Sequence, residues 1–308
     1  MSDTQNRLRI YNKRIKSLYG YLGEAEEEYT FYELTFQNLT DLYAYLKSDP
    51  EVNSKIFRRL SSQKSDTEFS GVSYETALNY IISGYSENYD KYLTIKKQLD
   101  KTIPTLVDRR EPIKSVAGSR PNVTNFIAGV PKNMYKLQRM QENKFVTIHF
   151  NLSYSHVNTP EQIRNRGNLT LNLIKLLELN GYKVKLNTFF LMHEYNEIIY
   201  IKLNLKKHGE LINERKCYYP MCSREFLRRI AFRIMESVPI ENYAWGESYG
   251  KNLCDDSIRS VLGISDNDIL INSPNHMDIM GFSIEEDAEN FINNAGIKGV
   301  FETKILKK

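Results

Sequence analysis

The octapeptide HFNLSYSH, residues 149–156, sets Asn151, Ser153 and Ser155 at every second position behind a run of apolar and β-branched residues. On extended backbone, side chains two apart point the same way, so one amide oxygen and two hydroxyls converge. Short oxygen ligands of this kind suit a hard cation that keeps several of its waters, Mg²⁺ above all. The same residue types also suit a plain turn, because Asn and Ser hydrogen-bond to nearby backbone and cap helices. His149 and His156 flank the set. His149 alternates with Ile148 and reads as a hydrogen-bonded core histidine, whereas His156 lies in the loop, within reach of a metal or a phosphate. A nearby carboxylate would complete a cation site of this kind.

A second constellation is cationic. Arg224, Arg228, Arg229 and Arg233 follow Ser223 at helical spacing, with 224 and 228 on one face and 229 and 233 on the next. They read either as a phosphate-contacting surface or as long side chains covering the core with their charged ends in water. Arg58–Arg59 and Arg109–Arg110 are similar in kind. Other chemistries find less support. The chain has no GxGxxG, no P-loop and no GxSxG elbow, and no paired carboxylates stand near a histidine at a strand end. Cys217, Cys222 and Cys254 form no CxxC and have no neighbouring histidine at zinc-ligand spacing, so they read as reduced structural thiols.

The elements that must position these residues follow from periodicity. KFVTIHFN is nearly continuous apolar, as a strand buried on both faces should be. The helix after it starts at Thr159 and Pro160 with Gln162 completing a capping box, carries Ile163, Leu169, Leu173, Ile174, Leu176 and Leu177 on a broad apolar face, and stops at Gly181. YKVKLNTFFLM and EIIYIKLNL form a hairpin across HEYN. SREFLRRIAFRIMESV is a helix, DNDILINSP a short strand, SIEEDAENFINNAG a helix capped by Ser283 and Glu286, and KGVFETKIL a last strand. Strand, helix, paired strands, helix, strand, helix, strand is the order of a three-layer α/β domain, expected over residues 144–308.

Residues 1–115 read as an irregular helix-rich region. A helix is expected over 5–28, its EAEEE end being a solvated face, then a short strand in TFYELTFQN. Helices follow in LTDLYAYLKSDP, in VSYETALNYIISGY with Ser73 as N-cap, and in YDKYLTIKKQLDKTI. Residues 104–134 hold Pro104, Pro112, Pro121 and Pro131, too many for a helix or a central strand, yet their scattered Val, Ile and Phe are too apolar for a free linker. The expectation is a connection packed on the core, centred on 116–143.

Composition sets the outer limits. With 308 residues, 41% apolar and 26% charged, the chain can bury a core and is not disordered by composition. A net charge of +4 permits phosphate contacts without demanding them. The chain lacks a run of roughly 18 apolar residues and an apolar N-terminal signal core, so it is expected to be soluble and cytoplasmic, without a membrane partner.

Two resemblances add to this. The order strand, NLSYS, helix, LELNGYKVKLNTF resembles the von Willebrand factor A domain, whose metal-ion-dependent adhesion site carries Asp-x-Ser-x-Ser after its first strand. Ser153 and Ser155 match the serines, and Asn151 stands at the aspartate position, offering a neutral oxygen where the family has a charge; the family's further aspartate, from a later loop, is best matched by Asp278 after ILINSPNHM. That implies a Rossmann-type, mostly parallel sheet with a degenerate site and either no cofactor or weakly bound Mg²⁺. The blocks FQNLTDLYAYLKSDP, FSGVSYETALNYIISGY, VAGSRPNVTNFIAGVPKNM and YPMCSREFLRRIAFRIME are similar to an uncharacterised family of tailed bacteriophages and prophages, over about residues 36–239. This implies a phage-encoded protein in the host cytoplasm. The function expected is non-enzymatic binding of a phage or host protein through strand-end loops. The alternative is nucleic-acid handling by the Arg224–Arg233 helix.

Overall fold

A computed structural model describes residues 7–16, 18, 26–53, 63, 67–85, 89–102, 110–139, 144–179, 181–241, 253–281 and 283–295. The chain opens with two antiparallel strands, β1 (Leu8–Lys16) and β2 (Glu26–Phe36). In its described residues the helix expected over 5–28 is instead paired strand. Its cause is non-local: Arg14 lies opposite Glu28 and Lys16 opposite Glu26, so a basic run and the acidic run neutralise each other across the ladder.

Three longer helices and a helical turn at Thr67–Ser70 follow among the described residues. α1 (Leu39–Lys47) and α2 (Tyr74–Ser83) are each capped by a side chain on its N-cap residue, Asn38 and Ser73 respectively, and α3 is Tyr89–Thr102. Residues 110–139 make a separate small sheet of β3 (Arg110–Ser115), β4 (Arg120–Pro121) and β5 (Met134–Arg139), with a helical turn at Val123–Ile127. The expected packed connection is instead an exposed module: none of its described side chains over 112–136 is buried, and Phe126 and Ile127 stand open to solvent. Gly118 is required where the chain crosses β5, because a Cβ there would sit 2.1 Å from the Tyr135 carbonyl oxygen.

The remaining elements build on β6 (Lys144–Asn151). α4 (Pro160–Leu179) leads to β7 (Tyr182–Glu194), a hairpin returns as β8 (Glu197–Lys206), and α5 is Glu214–Cys222. A π-helical segment, Phe226–Ala231, runs into α6 (Phe232–Met235). Then come α7 (Asp255–Leu262), β9 (Ile269–Ile271), a 3₁₀ turn at Pro274–Met277 and α8 (Ile284–Asn294). The last strand expected in KGVFETKIL lies outside the described residues.

The result is mixed α/β, with a six-stranded sheet in the order β1-β2-β8-β7-β6-β9. Pairs β2–β8, β6–β7 and β6–β9 are parallel and the other two antiparallel. The N-terminal segment thus completes the same sheet, through β2 against β8, rather than forming a helical unit of its own. One face, with Val146, Ile148, Phe150, Leu186, Phe190 and Ile201, packs on the helical layer of α1, α2, α4, α5 and the π segment. The other, with Phe31, Phe189, Leu191 and Tyr200, packs on Ile258 and Val261 of α7. Apolar burial on both faces makes β6–β8 the rigid centre of the molecule.

Candidate functional site

β6 is fifth of the six strands, with a parallel neighbour on each side. The chain leaves it through α4 toward β7 and returns, much later, on the opposite side as β9. The loops after β6 and β9 consequently lie side by side where strand order reverses, the position at which open α/β sheets gather ligands.

Those loops are joined by amide side chains. Asn151 Nδ2 donates to Asn272 Oδ1 at 2.8 Å, and both residues are buried. Asn151 Oδ1 accepts from the Ser153 amide at 2.9 Å, closing a turn, and Asn272 Oδ1 also accepts from the Ser273 amide at 2.8 Å. Asn272 is held the right way round because its Nδ2 donates to Asp255 Oδ1 and to the Leu253 carbonyl. Further out, Asn158 Oδ1 accepts from the Ser155 amide, while its Nδ2 donates to Asn275 Oδ1 at 2.6 Å. The two loops are thus clasped twice, at the root by Asn151–Asn272 and at the rim by Asn158–Asn275. The reciprocal capping box of Thr159 and Gln162 then starts α4, with Gln162 Nε2 donating to the Ile279 carbonyl.

Between the clasps, in both loops, sits a serine whose hydroxyl has no partner among the described residues: Ser153 Oγ and Ser273 Oγ, each on a buried side chain. Arg166 of α4 reaches the same place. It is 1% exposed, donates from Nη1 to the Asn272 carbonyl at 2.8 Å, lies 4.4 Å above the Phe150 ring, and leaves Nε without a partner among the described residues. Burial pulls its pKa down to about 9, opposed only by Tyr154 and Cys222, so no carboxylate of the described residues offsets its charge.

The predicted site residues divide. Asn151 and Ser153 come together as expected, and Ser155, half-buried, follows on the same loop. Asp278 turns elsewhere: its carboxylate accepts from Asn294 Nδ2 at 2.9 Å and its carbonyl from Asn290, both on α8. His156 is exposed in the loop. His149 is half-buried with Nε2 3.9 Å from Asp268 Oδ2; burial lowers its pKa to about 4, outweighing Asp268, so the pair is not ionic at neutral pH. Among the described residues no group of three or more His, Cys, Asp and Glu could hold a metal.

The arginine helix also divides. Arg229 and Arg233 are buried; Arg229 Nε donates to the Val72 carbonyl, and Arg233 Nη2 to Asp49 Oδ1 and the Pro50 carbonyl. They point inward and offer nothing to a phosphate backbone. Arg228 stacks over Tyr154 and Phe232, and Arg224 borders a cavity of about 300 Å³ between the start of α4 and Cys222–Glu225. Of Arg109–Arg110 only the backbone of Arg110 is described, and Arg58–Arg59 lie outside the described residues.

Sequence reasoning missed Asn272, Ser273 and Arg166. The asparagine and its serine were legible as a strand-end pair like Asn151 and Ser153. Arg166 was not, because an arginine in a helix is normally exposed.

The chain matches the family described as "Domain of unknown function (DUF7192)" over residues 15–303 and belongs to that family. No curated protein and no solved structure matches it. Among the described residues no helix is long and apolar enough to cross a membrane.

Proposed function

We propose that this chain is a non-enzymatic binding protein that engages a protein partner through the loops after β6 and β9, and that its β6–α4–β7 core is kin to the von Willebrand factor A domain. The observation that carries this reading is the double clasp of the two loops at the reversal of strand order. It presents a fixed surface, rimmed by exposed His156, Val157, Asn275 and His276, where a sheet of this type places its ligands. Rigid loops on a packed scaffold lose little freedom on association, which favours recognition. Among the described residues no base is hydrogen-bonded to Ser153 Oγ, whereas an activated serine is hydrogen-bonded to its base, which favours the binding reading. The phage resemblance adds the host cytoplasm as the place of action. Quantitative affinity capture from producing cells tests the reading. Val157→Glu should remove the partner and Leu179→Glu, at the far end of α4, should not; equal recovery with both variants would refute it.

A second reading, nucleic-acid handling, is favoured by one observation and shifts to a different surface. The small sheet and its loop expose Lys114, Arg120, Lys132 and Lys136, with no acid among their described side chains. Such a surface binds phosphates with counterion release, so retention on DNA should fall steeply with salt and be lost on replacing Lys114, Arg120 and Lys136 together. Absence of retention at low salt would exclude it.

A further inference from the structure

Among the described residues, the groups without a partner at the double clasp are the hydroxyls of Ser153 and Ser273, each with a proton to donate, and the Nε–H of Arg166. Of the oxygens a metal could use, the two amide oxygens are already engaged and only the two neutral hydroxyls are left. Asn151 Oδ1 accepts from the Ser153 amide, and Asn272 Oδ1 accepts from both Asn151 and Ser273. A divalent cation here would meet neutral amides, occupied lone pairs and a fixed guanidinium that repels it. The residues therefore do not fit Mg²⁺, although their positions resemble a metal site.

Resting on the reading that these loops form the binding face, we propose that Ser153, Ser273 and Arg166 take an oxyanion directly, with the guanidinium standing where the related fold would use a metal ion. The ligand class is a carboxylate on a partner side chain or a phosphate group, both of which match an arginine fork flanked by hydroxyl donors. A buried guanidinium with a single hydrogen bond and no acid partner among the described residues is costly on its own. An entering anion would offset that cost. The route is the rim: Asn275 is exposed, and releasing the Asn158–Asn275 bond parts the loops above the two serines.

The test is thermal unfolding of the full chain in EDTA at matched ionic strength, with inorganic phosphate, with acetate, and separately with Mg²⁺. One of the oxyanions should raise the midpoint; at 100 times its dissociation constant the folded-to-unfolded ratio rises about 100-fold. A response to phosphate alone assigns a phosphate ligand, and a response to acetate a partner carboxylate. Arg166→Gln should abolish the response, Arg166→Lys should keep a reduced one, and Asn158→Ala should lower the concentration needed. If Arg166→Gln fails to fold, Ser273→Ala decides, and its response must fall about tenfold or more in affinity. No response to either oxyanion, an undiminished one in Ser273→Ala, or stabilisation by Mg²⁺ that Ser153→Ala removes would overturn the proposal. A partner captured through Val157 without any oxyanion response sinks this inference alone. An oxyanion response without loop-dependent capture sinks the reading on which it rests.

Discussion

Asn151 and Asn272 join the ends of two adjacent parallel strands through their side chains, at 2.8 Å and out of contact with water. Buried amides of this kind are costly to break because the partner left behind loses its hydrogen bond without gaining water. Asn151→Ala removes the root clasp and the turn that holds the Ser153 amide, and should lower stability by about 1–3 kcal/mol. Asn158→Ala breaks the rim clasp, whose partner Asn275 can turn to solvent, and should cost about 0.5–1.5 kcal/mol. Urea unfolding midpoints give both values, and the order root before rim is the expected result.

The arginines of the π-helical region should separate by burial rather than by charge. Arg233→Ala leaves Asp49 and the Pro50 carbonyl without their donor and opens a void, so a loss of about 2–4 kcal/mol is expected. Arg224→Ala should fall within about 0.5 kcal/mol of the parent, as surface changes do. Chemical denaturation of the two variants checks this, and neither should alter salt-dependent retention on DNA.

His149 gives a defined acid response. Burial lowers its pKa from 6.5 to about 4 in the folded chain, so between those values the unfolded chain binds a proton that the folded chain does not. Its contribution is complete above pH 6.5 and is lost as pH falls toward 4, by roughly 3 kcal/mol at most. The difference in unfolding free energy between the parent and His149→Phe should therefore change over this window and stay flat above it.

Gly167 marks the closest approach of α4 and α5. A Cβ there would lie 2.4 Å from Cys222 Sγ and 2.7 Å from the Met221 carbonyl oxygen. Alanine improves helix propensity by about 1 kcal/mol over glycine, but such contacts force the helices apart at a cost of about 1–3 kcal/mol or more. Gly167→Ala should be net destabilising, with a thermal midpoint below the parent's.

How far the sequence could be read follows from these same residues. Local patterns worked where the determinant was local: the Thr159–Gln162 box, the Ser73 and Ser283 caps, and the hairpin between β7 and β8 all stand where the residues put them. Leu8 to Lys16 failed because the partner that makes it a strand is the acidic run at Glu26–Glu28, which no periodicity within the segment reveals. α4 was legible as a helix but not as one buried on its polar side too, where Arg166, Asn168, Thr170 and Asn172 are enclosed. Asn151 and Ser153 were legible as a site. That Asn272 would complete it depended on β9 lying beside β6, a fact of topology.

The most direct test of the binding face is site-specific photo-cross-linking in producing cells, with the reactive side chain at position 156 in one variant and at position 179 in another. Both positions are exposed, at opposite ends of α4. A discrete cross-linked partner from 156 and none from 179 is the result expected of a face built on the loops after β6 and β9. The same partner from 179 alone, or from neither, would contradict it.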